Sequence, residues 1–240
     1  MNRTDLDSTQ AAAPVLRCRT FATRAFAGLA LVAIAGTASA DGPGRGATAT
    51  FEKNYLVFII DHHYSALRMT ELAAGTDTQR NAAVSNPSEG TAPTPGFGAS
   101  VAKASDDQIR SMSRQANRTQ REEIMQAQHF LHDWYGMQHQ PQLTADAQRM
   151  IATLESTPAG TQFNQTFLRM FSNHHLSALA PSLHCEVKSD IAHDSLHRYC
   201  ENIVVTQKNS INDMREMLCK QYGDCGFVPA TGDKHKDQDF

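Results

Sequence analysis

The sequence lacks the marks of most enzyme classes. It has no Cys-x-x-Cys, no Glu-x-x-His, no phosphate-binding glycine loop, no nucleophile elbow and no Ser/His/Asp order. The missing Glu-x-x-His removes the di-iron carboxylate site of helical bundles, which needs that motif on two helices and a further Glu on two more. Alternating strand patterns are essentially absent. Basic residues are not in excess, at 22 Lys and Arg against 25 Asp and Glu. Nucleic acid and anionic membrane surfaces are therefore poor partners. Past residue 40, no apolar run approaches the about 20 residues of a membrane-spanning helix.

Residues 1–40 read as a secretory signal. Arg17, Arg19 and Arg24 precede an apolar stretch over 25–36, which ends in Ala38-Ser39-Ala40, a small-x-small cleavage site. The stretch is too short for a permanent anchor, and Cys18 precedes it, out of place for lipid attachment. The mature chain is expected to start near Asp41, in the periplasm or outside the cell. Losing four Arg and two Asp leaves 18 basic and 23 acidic residues, a net charge of −5. Residues 41–240 suffice for one domain with a sizeable core.

Four cysteines remain after cleavage: Cys185, Cys200, Cys219 and Cys225. An even number in an exported chain suits two disulfides. Three connectivities are open. Cys185–Cys200 with Cys219–Cys225 is favoured, because Cys185 ends one expected helix and Cys200 opens the next. Soft-metal thiolates are the competing use.

What the chain does have is a phrase that occurs twice. Residues 61–67 read Asp-His-His-Tyr-Ser-Ala-Leu and residues 173–179 read Asn-His-His-Leu-Ser-Ala-Leu, each after an apolar, aromatic approach. The repetition argues for an internal duplication. Helical periodicity places helices at about 52–74, 106–135, 162–186 and 194–220, with a short one near 144–155. The first carries Ile59, His62, Ala66, Met69 and Ala73 on one face. The second opens at a capping Ser105-Asp106-Asp107 and carries Ile109, Met112, Ala116, Ile124, Ala127 and Leu131. Ile203, Gln207, Ile211, Met214 and Leu218 line the last. Residues 75–104, rich in Gly and Pro, form a long loop, of a kind that is a lid, a binding loop or disordered. Repeat one thus spans about 52–135 and repeat two about 162–220. Each is a helical hairpin, and two hairpins make an all-α four-helix bundle. The returning helices repeat as well: Gln120-x-x-Glu123-Ile124 answers Gln207-x-x-Ser210-Ile211, and Phe130-Leu131 answers Met217-Leu218.

A Met- or Phe-bearing approach to His-His, Ala three residues beyond the second His, and a hairpin to Gln-x-x-x-Ile with a Met or Leu tail resemble the bacterial domain-of-unknown-function family 305. The resemblance implies a ferritin-like, exported helical bundle of duplicated halves, and metal handling, copper first, through His and Met. Position by position, His62-His63 and His174-His175 match the His-His pair. Met69 matches the Met seven residues after the first His, where the second repeat has Pro181. Met170 matches the Met before the pair, and Met214 the Met of the returning helix, where the first repeat has Ala127.

Adjacent helical residues point about 100° apart, so one His from each copy is expected to meet across the bundle axis. His62 and His174 lie on the inner stripes and are the central candidates, with His63, His175 and Met69 as first alternatives and Met170 and Met214 as further ones. Two imidazoles and a thioether suit Cu(I); imidazoles with water or Asp61 suit Cu(II). His63 and His175 would then face Gln120, Glu123 or Gln207. Glu71 and Glu123 are the inner carboxylates near this level. Alternatively, all four histidines are packed core residues that hold the hairpins in register. His129-x-x-His132 with His139, and Asp190-x-x-His193-Asp194-x-x-His197, are lesser candidates, the latter explained as well by Asp194 capping a helix. The expected function is exported transition-metal binding for storage, delivery or tolerance. Two alternatives stand: an envelope structural or interaction protein with structural histidines, and a metal-dependent redox enzyme, for which the sequence offers no substrate pocket.

Overall fold

The computed structural model describes residues 44–77 and 90–226. Residues 1–40, read as an export signal, and the tip of the 75–104 loop lie outside the described residues. Five helices follow in order: α1 Gly46–Ala74, α2 Asp107–Tyr135, α3 Ala145–Ser156, α4 Thr161–Val187 and α5 Asp194–Tyr222. Among the described residues there is no strand, only an isolated bridge between Thr76 and Thr91.

The helix ends follow the sequence. Asp106 caps α2, its Oδ1 accepting from the amides of Gln108 (2.8 Å) and Ile109 (3.0 Å). Gly136, at φ 62°, closes α2 in the left-handed region. Gly75 ends α1 at φ 80°, and a Cβ there would lie 2.8 Å from the Ala102 amide nitrogen, so no other residue fits. α5 departs from expectation: its N-cap is His193, without a side-chain cap, and Asp194 sits in the first turn. There the carboxylate still favours the helix through its dipole. Pro181 lies inside α4 and removes the hydrogen bond to the Ser177 carbonyl without ending the helix.

α1 packs along α2, α4 along α5, and the hairpins meet through α1 and α4, with α3 against both. Tyr55 reaches Ser182 and Ser65 reaches His174, so α1 and α4 run antiparallel. Two apolar clusters fill the bundle. One surrounds Tyr55, Leu56, Phe130, Trp134 and Tyr199; the other surrounds Met69, Phe163, Phe167, Phe171 and Met214. The His-His phrases fall between them.

Apolar periodicity puts Met112 and Ala116 on the inner line of α2, but both are only partly buried. The inner positions are Ser113, Asn117 and Gln120. Asn117 explains why polar residues are tolerated there: its Nδ2 donates to the Leu67 carbonyl (3.1 Å) and to Thr70 Oγ1 (2.9 Å) of α1. The disulfides are Cys185–Cys200, across the α4–α5 turn with Cα atoms 5.9 Å apart, and Cys219–Cys225 at the end of α5.

The described part of the long loop is anchored rather than free. Glu71, fully buried, accepts from the Thr94 amide (3.2 Å) and the Thr76 hydroxyl and lies 3.4 Å from Arg68. Arg68 also donates to the Gly98 carbonyl, and Arg121 to those of Ala92 and Pro93. Replacing Glu71 by Ala leaves the Thr94 amide without its acceptor and takes one of the two carboxylates from Arg68, which keeps Glu155 at 2.8 Å. It is expected to cost about 1–3 kcal/mol and to speed amide exchange over residues 90–100, measured by mass spectrometry. Unchanged exchange would mean that the carboxylate does not hold the loop.

Candidate metal centre

At the crossing of α1 and α4, the rings of His62 and His174 stack with centroids 3.8 Å apart and planes 30° from parallel. His63 and His175 flank them, with centroids 5.7 Å and 6.0 Å from their chain neighbours. His63, His174 and His175 are buried at 0–2% exposure, while His62 keeps an edge to solvent. One His from each copy therefore meets across the axis. Stacked rings hold their lone pairs in near-parallel planes, however, so the pair does not aim at one point between them.

A reciprocal clasp fixes the stack. Ser65 Oγ donates to the carbonyl of His62, three residues back (2.7 Å), and lies 2.8 Å from His174 Nε2. Ser177 does the same in the other repeat: it donates to the His174 carbonyl (2.6 Å) and lies 3.1 Å from His62 Nε2. His62 Nε2 is also 2.9 Å from the His174 carbonyl. The serines belong to the repeated phrase, which is why the arrangement recurs.

The layer favours uncharged imidazoles. His62 and His174 are held well below the usual histidine range, first by burial and then by the neighbouring histidines. Burial, followed by the nearby His63, brings His175 down to about 3. His63 Nε2 lies 2.9 Å from Glu123 Oε2, close but without the geometry of a directed hydrogen bond.

Several buried polar atoms of this layer lack a hydrogen-bond partner: Nδ1 of His62, His63, His174 and His175, Oε1 of Gln120 and Gln207, and Glu123 Oε2. The oxygens are acceptors, and an imidazole nitrogen that carries no proton offers its lone pair, so these atoms can serve a cation. Met69 and Met214 are fully buried in the adjoining apolar cluster, and Met170 packs against it partly buried. The donor set is thus imidazole and thioether, with amide oxygens and a single carboxylate beside them, and its nitrogen and sulfur donors fit a soft ion of low charge. It is not a ready-made chelate: among the described residues, no three His, Cys, Asp or Glu side chains converge closely enough to hold a metal.

The other candidate residues are engaged elsewhere. Asp61 accepts from His139 Nε2 (2.7 Å) and the Gln142 amide (2.8 Å). His129 and His132 are exposed and share Asp133, apart from His139. His193 Nδ1 is bonded to Glu52 (2.6 Å), His197 Nδ1 is 2.9 Å from the Glu186 carbonyl, and Asp190 pairs with Lys188, so the Asp190–His197 motif gathers no common site. Glu71 belongs to the loop. The serine clasp and Glu52 escaped the sequence reading; the signal available was Ser at the same place in both phrases.

Fold and site together define an all-α protein of two antiparallel hairpins, with a buried imidazole layer where they meet. The family model described as Domain of unknown function (DUF305) matches residues 98–218, half of the chain, and the chain belongs to that family. The matched segment contains His174-His175 and begins after the first phrase. Three solved structures share the fold. "CopM in the Cu(I)-bound form" aligns with a TM-score of 0.53 at 16% identity, over 72% of this chain and 98% of that one. The Ag-bound form gives 0.51 at 17%, over 72% and 98%, and the Cu(II)-bound form 0.52 at 16%, over 71% and 97%. At such identities the likeness is one of fold. A search of curated proteins found no match.

Proposed function

We propose that this is an exported protein that binds a soft transition-metal ion, copper(I) first, for storage, delivery or tolerance. The observation that carries the reading is the set of buried, unpartnered electron-pair donors in the imidazole layer. His62 and His174 are the central ligands, His63, His175 and Met69 the first alternatives, and Met170 and Met214 further soft donors. Charge supports the monovalent ion. The desolvation cost of an ion rises with the square of its charge, so a second charge raises it about fourfold, and only Glu123 is at hand to offset it. Export is supported by the signal-like residues 1–40 and by the two disulfides. The solved CopM forms with Cu(I), Ag and Cu(II) support the choice of metal by analogy of fold.

A second reading, an envelope structural or interaction protein, is favoured by the clasp itself, since stacking and hydrogen bonding already tie the rings together. Native mass spectrometry before and after one equivalent of Cu(I) separates the two. Retention of one ion through buffer exchange, lost in the His62→Ala/His174→Ala double variant, is expected. If wild type and variant both emerge metal-free, the histidines are scaffold and the metal reading falls.

A further inference from the structure

We infer that Ser65 and Ser177 decide which imidazole nitrogen a metal meets: they hold His62 and His174 as the Nε2–H tautomer and leave Nδ1 as the free donor. This rests on the metal reading for its consequence and on hydrogen-bond chemistry for its substance. A backbone carbonyl only accepts, so His62 Nε2, 2.9 Å from the His174 carbonyl, carries the ring proton. Each serine spends its own proton on the carbonyl three residues back in its helix. Its oxygen is left to accept, from His174 Nε2 at Ser65 and from His62 Nε2 at Ser177. Both rings are thereby protonated on Nε2, and the remaining lone pair of each sits on Nδ1.

The consequence is a choice of donor atom that neither ring makes alone. The Nδ1 atoms of His62 and His174 are shielded and have no hydrogen-bond partner. An ion that takes Nδ1 leaves the clasp intact; one that takes Nε2 must first break the bonds to serine and carbonyl. A hydrogen bond from Nε2–H also raises the basicity of the opposite nitrogen and fixes the ring's orientation. The serines are positioning residues: they act on the ion through the ring that each one grips in the other repeat.

The test is two-bond ¹H–¹⁵N correlation spectroscopy of the imidazoles in the labelled, metal-free protein, followed by Ag⁺ as a monovalent probe that does not change oxidation state. Both rings are expected to show a protonated Nε2 and an unprotonated Nδ1, with Ag⁺ moving the Nδ1 signals while Nε2 keeps its proton. Ser65→Ala/Ser177→Ala is expected to give mixed tautomers at His174, which loses Ser65, while His62 keeps its Nε2 proton on the His174 carbonyl, and to bind Ag⁺ about 10–100-fold more weakly. Ser65→Thr/Ser177→Thr, which keeps both hydroxyls, restores the single tautomer and guards against mere unfolding of the alanine variant. A protonated Nδ1 in the wild type, an unchanged His174 tautomer in the alanine variant, or Ag⁺ bound at Nε2 would each overturn the inference. Tautomers are read without metal, so failure of Ag⁺ to bind overturns the metal reading and leaves the assignment of Ser65 and Ser177 standing.

Discussion

Lowering the pH from 7 to 4 is expected to unfold the metal-free protein cooperatively. His62, His174 and His175 have folded-state pKa values below their unfolded value of about 6.5, His175 down to about 3. A depressed histidine is neutral in the fold and takes up a proton on unfolding. Between the folded and unfolded values the unfolded state binds more protons, so stability falls as the pH falls. Above pH 6.5 the penalty vanishes. Below it, each excluded proton costs about 1.4 kcal/mol per pH unit, and three together approach about 4 kcal/mol per unit. At that rate about 10 kcal/mol is lost by pH 4, against a usual domain stability of about 5–15 kcal/mol. The groups facing these rings are one another, His63, and Glu123 from α2. The check is a set of urea melts at successive pH values, with the slope of stability against pH reporting the proton difference. His175→Gln should remove about a third of that slope. A stability flat from pH 7 to 5 would mean that the layer admits protons freely.

The second large effect lies at the far end of the bundle. Glu52→Ala is expected to destabilise the protein by about 3–5 kcal/mol, the range for stripping one partner from a buried charged group. Glu52 is fully buried on α1 and gathers three donors from elsewhere in the chain. Its Oε1 accepts from the Ala192 amide (2.7 Å), and its Oε2 from His193 Nδ1 (2.6 Å) and the Tyr135 hydroxyl. The carboxylate thus ties the end of α2 and the α4–α5 turn to α1. Glu52→Gln keeps the shape and part of the acceptor capacity, and should cost about 1–3 kcal/mol. The single tryptophan reports directly, because Trp134 stacks on His193 at 3.7 Å with planes 5° apart. Denaturant melts followed by its fluorescence give the midpoint. An Ala variant within about 1 kcal/mol of wild type would show that water replaces the carboxylate without loss.

The helices were legible because their signals are local: apolar spacing, Asp106 at one end of α2 and Gly136 at the other. The hairpins were legible because a repeated phrase fixes where each begins. That His62 faces the second repeat and His63 faces Glu123 could be read from their 100° offset. The polar line Ser113-Asn117-Gln120 could not, since apolar periodicity is blind to a buried amide whose partners are the carbonyl of Leu67 and the hydroxyl of Thr70 on another helix. Glu52 was hidden for the same reason: nothing in its neighbourhood of sequence announces donors 83 and 141 residues away. Ser65 and Ser177 were visible as repeated letters, but each looked local to its own histidine, and only the antiparallel crossing shows that each grips the other's.

That crossed grip makes the two hairpins a pair in which neither half is chemically complete. A lone hairpin would carry a histidine without its serine and a serine without its histidine, and would find both only in a second copy. Joining the halves in one chain replaces an encounter that depends on dilution with an intramolecular one, at an effective concentration in the millimolar range for a short linker. A protein that cannot rely on its own abundance gains from this. The union also lifts the demand for identity: once the partner is guaranteed, the halves can differ. Met69 in one and Pro181 in the other show that they have.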